Sequence, residues 1–194
     1  VLRDETSKQR FEQEARTIAK LEHPSIVGIY EVGRSPQGLM YYVMPFLSKG
    51  HLGQRDLRHD ELRIVTVLRS LLSALGYAHT RGIVHRDVKA ENVLFDNADR
   101  PVLADFGIAL PFRSATRITT IGFAVGSAAY MAPEQARGEI VDGRADLYAV
   151  GVLAYEMLTG HLPFQANDAL ALAVMHAHDP IPPLPGNRRH WQPF

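Results

Sequence analysis

The 194 residues predict an α+β fold, with a small helix-and-hairpin portion joined to a larger, mostly helical lobe. Three observations carry that expectation. Apolar residues recur at helical spacing in long stretches on both sides of the chain's middle. Two β-branched and aromatic runs flank a single cluster of turn residues near the start. The other strand-like pieces are very short and sit among polar turns.

From Ser7 to about Glu22, residues Phe11, Ala15, Ile18, Ala19 and Leu21 mark a helix. His23-Pro24 ends it, because the residue before a proline is pushed out of the helical region. Ile26 to Tyr30 and Leu39 to Met44 read as a hairpin around Gly33, Ser35, Pro36 and Gly38. From Asp60 to His79, residues Leu62, Val65, Leu68, Leu71, Leu72, Leu75 and Ala78 mark a long buried helix, with Gly82 placed to stop it. Ile83-Val84, Val93-Leu94-Phe95 and Val102-Leu103-Ala104 follow as short strands. A loop rich in Ser, Thr, Arg and Gly runs from about Phe112 to Ser127. Helices resume near Pro133, from Ala145 to Thr159 before Gly160 and Pro163, and from Asp168 to His176. The stretch from Asp179 holds five prolines and reads as loop, and there is no internal repeat.

Composition narrows the function classes. Hydrophobic residues make up 46% and charged residues 22%, ordinary for a packed domain, so disorder as the main state is excluded. Lys plus Arg equal Asp plus Glu at 21 each, so no basic excess points to nucleic acid or a membrane surface. With no Cys, disulfide scaffolds, thiolate metal sites and a cysteine nucleophile are all out, which fits a cytoplasmic setting. The most apolar stretch, Leu147 to Leu158, is too short to span a bilayer and contains Glu156. No signal peptide opens the chain, and Val1 in place of Met marks it as a fragment.

The sharpest segment is His85-Arg86-Asp87-Val88-Lys89-Ala90-Glu91-Asn92, with strand-like pieces on both sides. Thirteen positions after Asn92 comes Asp105-Phe106-Gly107, and later Ala132-Pro133-Glu134 opens a helical region. Their residue types suit phosphoryl transfer, which needs an aligned hydroxyl, neutralised phosphate charge and held metal ions. Asp87 is placed to accept a hydroxyl proton. Asn92 and Asp105 supply a neutral and a charged oxygen ligand for Mg²⁺. Lys89 can set positive charge against a transferring phosphoryl group. A lone aspartate is more often a structural ion pair than a base, and only the surrounding octet reverses those odds. His176-Ala177-His178 has no carboxylate cluster beside it and reads as ordinary surface. A hydrolase is not competitive without a Gly-X-Ser-X-Gly elbow, nor a metalloprotease without His-Glu-X-X-His.

In order and at this spacing, the three landmarks resemble those of protein kinases, and from Val1 to about Pro182 the chain resembles a bacterial serine/threonine protein kinase of the eukaryotic-like (Hanks) type. The resemblance implies a two-lobe fold with a truncated front lobe, in which helix C and a β-hairpin remain, and a helical rear lobe lacking its last helices. It divides the chain into a partial front lobe over 1–47, a rear lobe over 48–183 and a divergent tail over 184–194. It implies ATP and Mg²⁺ as cofactors and protein hydroxyls as substrates, and it allows a dimer for autophosphorylation. Lys89 and Gly126-Ser127 before Tyr130 resemble the serine/threonine branch, where the Ser127 hydroxyl bonds the catalytic Asp and Lys.

By the same resemblance, Glu14 matches the glutamate that pairs with the phosphate-binding lysine. Met44 falls at the gatekeeper, Pro45, Phe46 and Leu47 at the hinge beside adenine, and Leu94 at the pocket floor. Ile18, Ile29, His85 and Phe106 match a stacked apolar column, and Asp146 matches the anchor of the catalytic-loop backbone. Arg86 implies activation by a loop phosphate, with Thr119 and Thr120 the leading sites ahead of Ser114 and Thr116.

Two family features have no match in the 194 residues. There is no Gly-rich strand pair over the phosphates, and no lysine on a third strand before the first helix. Relatives read Val-Ala-X-Lys-Val-Leu-Arg there, which places Val1-Leu2-Arg3 directly after that lysine. Arg188 and Arg189 come too early to be the arginine that pairs with the Glu134 position. The chain as it stands is therefore expected to be inactive or weak. The competing expectation is a non-catalytic, kinase-like binding module.

Overall fold

A computed structural model of the chain describes residues 17–36, 40–106 and 125–192. Residues 17 and 18 are helical, and N–H groups of Lys20 and Leu21 bond the carbonyls of Thr17 and Ile18 in a closing turn ahead of His23-Pro24. The body of that first helix, with Glu14, lies outside the described residues, as do Gly107, Ser114, Thr116, Thr119 and Thr120.

The hairpin is present with its first strand displaced. Strand β1 is Glu31–Arg34 and β2 is Met40–Val43, antiparallel, with Glu31 opposite Val43. Ile26 and Val27, expected to open that strand, join the other sheet instead. Val27 N–H donates to the Leu103 carbonyl at 2.9 Å, and Leu103 N–H donates to the Ser25 carbonyl at 2.8 Å. Ile26 is buried there, so the site of its burial decides which strand it accompanies.

Helix α1 is Glu61–His79, capped by Asp60, whose carboxylate accepts from Arg63 N–H at 2.9 Å. It ends in a Schellman motif. Gly82 takes a φ of 72°, and the N–H groups of Ile83 and Gly82 cross back to the carbonyls of Ala78 and His79 at 3.1 and 2.9 Å. The buried stripe is Ile64, Val67, Leu71, Ala74, Leu75 and Ala78. Leu62 and Leu72, expected in the core, are 79% and 47% exposed. The leucines alone fit two overlapping faces, and packing against β4 and α4 selects one.

Ile83 and Val84 form no strand. Strands β3 (Val93–Phe95) and β4 (Pro101–Leu103) pair antiparallel, with Val93 opposite Leu103. At their turn Asp99 has a φ of 62° and accepts from both Arg55 and Arg63. The Arg55 guanidinium also lies 3.5 Å from the Phe95 ring centroid.

Among the described residues four more α-helices follow: α2 (Val125–Ala128), α3 (Pro133–Ala136), α4 (Gly143–Thr159) and α5 (Ala169–His178). Asp142 and Asp168 cap α4 and α5. Helix α4 packs along α1, while α2 and α3 pack on α5. Where α4 meets the end of α1, a Cβ on Gly143 would lie 2.7 Å from the His79 ring, so only glycine permits that approach. Phe95, Ile64, Leu71, Leu75, Leu103, Leu153 and Leu172 are the largest fully buried apolar side chains among the described residues.

Two expectations need correction here. Residues Gly186–Trp191 form a 3₁₀ helix where loop was expected, held by Arg188, which bonds the Glu61 carboxylate and the Arg58 carbonyl. His176, expected on the surface, is only 4% exposed. Among the described residues no helix is long and apolar enough to cross a membrane.

Candidate active site

The loop from His85 to Asn92 is held from beneath by one buried carboxylate. Asp146, on the first turn of α4, accepts from His85 N–H at 2.9 Å and Arg86 N–H at 2.7 Å, and His79 Nε2 lies 2.7 Å from it. Arg86 carries a φ of 66°, a left-handed value that is uncommon outside glycine. Bonds on both flanking peptides hold it there, since its carbonyl accepts from Gln135 Nε2 at 3.1 Å. Gln135 in turn accepts from Ala132 N–H at 3.0 Å, so helix α3 is tied to the loop by one side chain.

His85 is fully buried, and burial holds its pKa below the ordinary histidine value. Its bonds fit the neutral ring. Nδ1 accepts from Asp87 N–H at 3.2 Å, which leaves Nε2–H to donate to the Ala104 carbonyl at 2.9 Å. This ring also lies 4.5 Å from that of Phe106.

Above this base the polar side chains converge. Lys89 Nζ donates to Asp87 Oδ2 at 2.7 Å and to Ser127 Oγ at 2.9 Å. Asn92 Nδ2 donates to the Asp87 carbonyl at 2.8 Å and to Asp87 Oδ2 at 3.1 Å. Both side-chain bonds fall on Oδ2, so Oδ1 is the oxygen that can meet an incoming hydroxyl. Ser127, 38 residues away from Lys89 in the chain, is brought here by α2. The segment that carries it is fastened again at Tyr130, whose hydroxyl donates to Glu156 on α4 at 2.6 Å. Burial raises the pKa of Glu156, and burial next to that carboxylate raises the pKa of Tyr130.

Asp105 joins the cluster through the backbone. Ala104 N–H donates to the Asn92 carbonyl at 2.8 Å, and Asp105 then turns with a φ of 56°. Its exposed side chain accepts from the Tyr42 hydroxyl of β2, whose pKa is raised by burial and by that carboxylate. A magnesium ion would suit this donor set. Asn92 spends its amide hydrogens on Asp87, so its carbonyl oxygen is the side-chain atom that would serve as a ligand with Asp105, and a hard cation needs only one or two such protein oxygens beside phosphates.

Met44, Pro45 and Leu47, matched by resemblance to the gatekeeper and hinge, are half-buried and follow β2 directly. That segment reaches Gly50, whose carbonyl accepts from Phe95 N–H at 3.1 Å, and His51 bridges Leu94. Ile18 is buried in the core, and Ile29 packs against it half-buried. Sequence reasoning missed Gln135, Tyr42 and His79. Gln135 had a signal, being the third helical residue after Ala132 and so able to reach back to that residue's N–H. Tyr42 and His79 had none, since each meets an aspartate more than sixty residues away.

Comparison with known proteins agrees with this geometry. The protein kinase domain family matches residues 2–186, and the chain belongs to that family. It is 37% identical over 199 residues to the serine/threonine-protein kinase pkn3 of Myxococcus xanthus, covering 97% of this chain and 36% of that protein. It is 38% identical over 198 residues to the serine/threonine-protein kinase PknB of Mycolicibacterium smegmatis, covering 97% of this chain and 31% of that protein. Against PknB of Mycobacterium tuberculosis the identity is 39% over 191 residues, with 93% and 30% covered. The chain spans about a third of the length of these curated relatives.

Proposed function

We propose that the protein is a serine/threonine kinase that transfers the γ-phosphate of ATP to hydroxyls of other proteins. One observation carries this reading: Lys89 bridges the Asp87 carboxylate and the Ser127 hydroxyl while Asn92 holds the same carboxylate. Asp87 Oδ1 accepts the substrate hydroxyl proton as the substrate's hydroxyl oxygen attacks the γ-phosphorus, and ADP leaves. Lys89 sets its charge beside the transferring group, and Ser127 fixes Lys89. Bound Mg²⁺ neutralises phosphate charge, and Asn92 and Asp105 are the residues that would hold it. Met44, Pro45, Leu47 and Leu94 form the adenine side, and Glu14 answers a phosphate-binding lysine. We assign 1–47 to the front lobe, 48–183 to the rear lobe and 184–194 to a tail.

The test compares the full-length protein with its Asp87→Asn variant for phosphate incorporation from labelled ATP into a generic protein acceptor. A loss of about 10²- to 10⁴-fold is expected, with Mg²⁺-dependent nucleotide binding retained. Equal incorporation by the variant would remove Asp87 as base. Absence of both transfer and nucleotide binding in the parent would leave a kinase-like binding module. For regulation, a phosphate on Thr119 or Thr120 would pair with the Arg86 guanidinium. Mass spectrometry of active enzyme with no phosphate on that loop refutes this part.

A further inference from the structure

Three side chains fasten the segment from Ser127 to Tyr130, and only two of them come from elements already given a role. Lys89 holds Ser127 and Glu156 holds Tyr130. The third is His176, near the end of α5, which lies 3.0 Å from the Ala129 carbonyl through Nε2. Its other nitrogen, Nδ1, lies 2.8 Å from the Tyr148 hydroxyl of α4. The ring is wedged edge-on between Phe164, 4.9 Å away at 80°, and Tyr148, 5.7 Å away at 71°.

These contacts fix the state of the ring. A neutral imidazole offers one donor and one acceptor, and the site supplies one carbonyl and one hydroxyl. The carbonyl can only accept, so Nε2 carries the hydrogen and Nδ1 accepts from Tyr148. Burial lowers the His176 pKa, more than the Ala129 bond raises it, which favours that neutral form. Burial also pushes the Tyr148 hydroxyl up to about 12, so it stays a donor. The purpose of a fully satisfied buried histidine is ordinarily the core alone. Here its donor is spent on an irregular segment two residues from the Ser127 hydroxyl, inside the site.

We infer that His176 is a positioning residue for the phosphate-accepting substrate: by holding the Ala129 carbonyl it sets the register of Ser127 against Lys89 and couples helix α5 to the substrate side of the site. The inference rests on the kinase reading for its kinetic consequence, and on the contacts alone for its structural one. Tyr148 acts one step further out, by keeping the ring in the tautomer that donates to Ala129.

The experiment uses the full-length protein and two variants. His176→Phe keeps a ring between Phe164 and Tyr148 and removes both polar bonds. His176→Gln places an amide donor where Nε2–H stood. For His176→Phe the KM for a protein acceptor is expected to rise about tenfold, the equivalent of one lost hydrogen bond, with the KM for ATP within about twofold. Hydrogen exchange of the peptide spanning residues 126–131 should quicken, and His176→Gln should restore most of both. An unchanged acceptor KM and unchanged exchange in a folded His176→Phe variant overturn the inference. So does a fall in kcat and thermal stability with no selective change in the acceptor KM that Gln fails to rescue, because that pattern marks a core residue only. If His176→Phe does not fold, Gln decides, and an acceptor KM raised as much as tenfold counts against the role. If the parent transfers no phosphate, the kinase reading fails and the exchange comparison still decides the contact.

Discussion

At the scale of single residues, the chemistry depends on how few bonds Asp87 is allowed. Oδ2 takes Lys89 and Asn92, so the carboxylate cannot rotate and its other oxygen stays presented. Ser127 contributes only through Lys89, so Ser127→Ala is expected to reduce turnover by far less than Asp87→Asn, about tenfold, in steady-state assays of the full-length protein. A loss as large as that of Asp87→Asn would mean Ser127 acts directly. Asn92→Ala removes a bond to Asp87 and, on the proposed reading, an oxygen ligand. It should raise the Mg²⁺ concentration needed for half-maximal rate, and an unchanged magnesium titration would remove Asn92 as a ligand. The octet around Asp87 was readable because its members are contiguous. Tyr42, which donates to Asp105, was not, because the two are 63 residues apart.

At the scale of elements, Asp146 is the junction. It sits on α4, receives His79 from the end of α1, and holds two loop amides. Its side chain is fully buried, so deleting it strands buried donors with no water to replace the acceptor. Asp146→Ala is expected to cost about 3–5 kcal/mol in urea unfolding and to abolish activity. Asp146→Asn, which keeps one accepting oxygen, should cost less, and equal losses would show that the charge matters more than the bonds. A simpler case is the cap of α1. Asp60→Ala should cost about 1 kcal/mol with little effect on turnover, measured by the same unfolding curves. Caps and breakers of this kind are local, which explains why Asp60, Gly82, Asp168 and Gly160 marked helix ends correctly from sequence. Strand β1 was misplaced because Ile26 pairs across the molecule with Leu103, a partner no local pattern reveals.

At the scale of the whole molecule, two buried neutral histidines make stability depend on pH. Burial holds both His85 and His176 below the ordinary value of 6.5. As pH falls below that value the unfolded chain binds protons that the folded chain refuses, so stability is lost with acid. Each contributes a slope of up to about 1.4 kcal/mol per pH unit between the unfolded and the lower folded pKa. Glu156 works the other way nearer its ordinary value of 4.5, since its raised pKa lets the folded state take a proton first. Urea midpoints should therefore drop between pH 7.5 and pH 5.5, and the drop should be smaller in His176→Gln. A midpoint flat across that range would mean both rings are charged when folded.

By itself the sequence determined helices α1, α4 and α5, the second strand of the hairpin, strands β3 and β4, and the contiguous run from His85 to Asn92. Each of these is written in neighbouring residues: a cap, a breaker, a period, a contiguous loop. Only the tertiary structure decided which face of α1 is buried, which sheet Ile26 joins, and that Asp146, Ser127 and His176 hold the catalytic segments. Those contacts join residues 61, 38 and 47 positions apart. Their partners are chosen by the burial of apolar surface across the whole chain and by the need to satisfy every polar group that burial encloses.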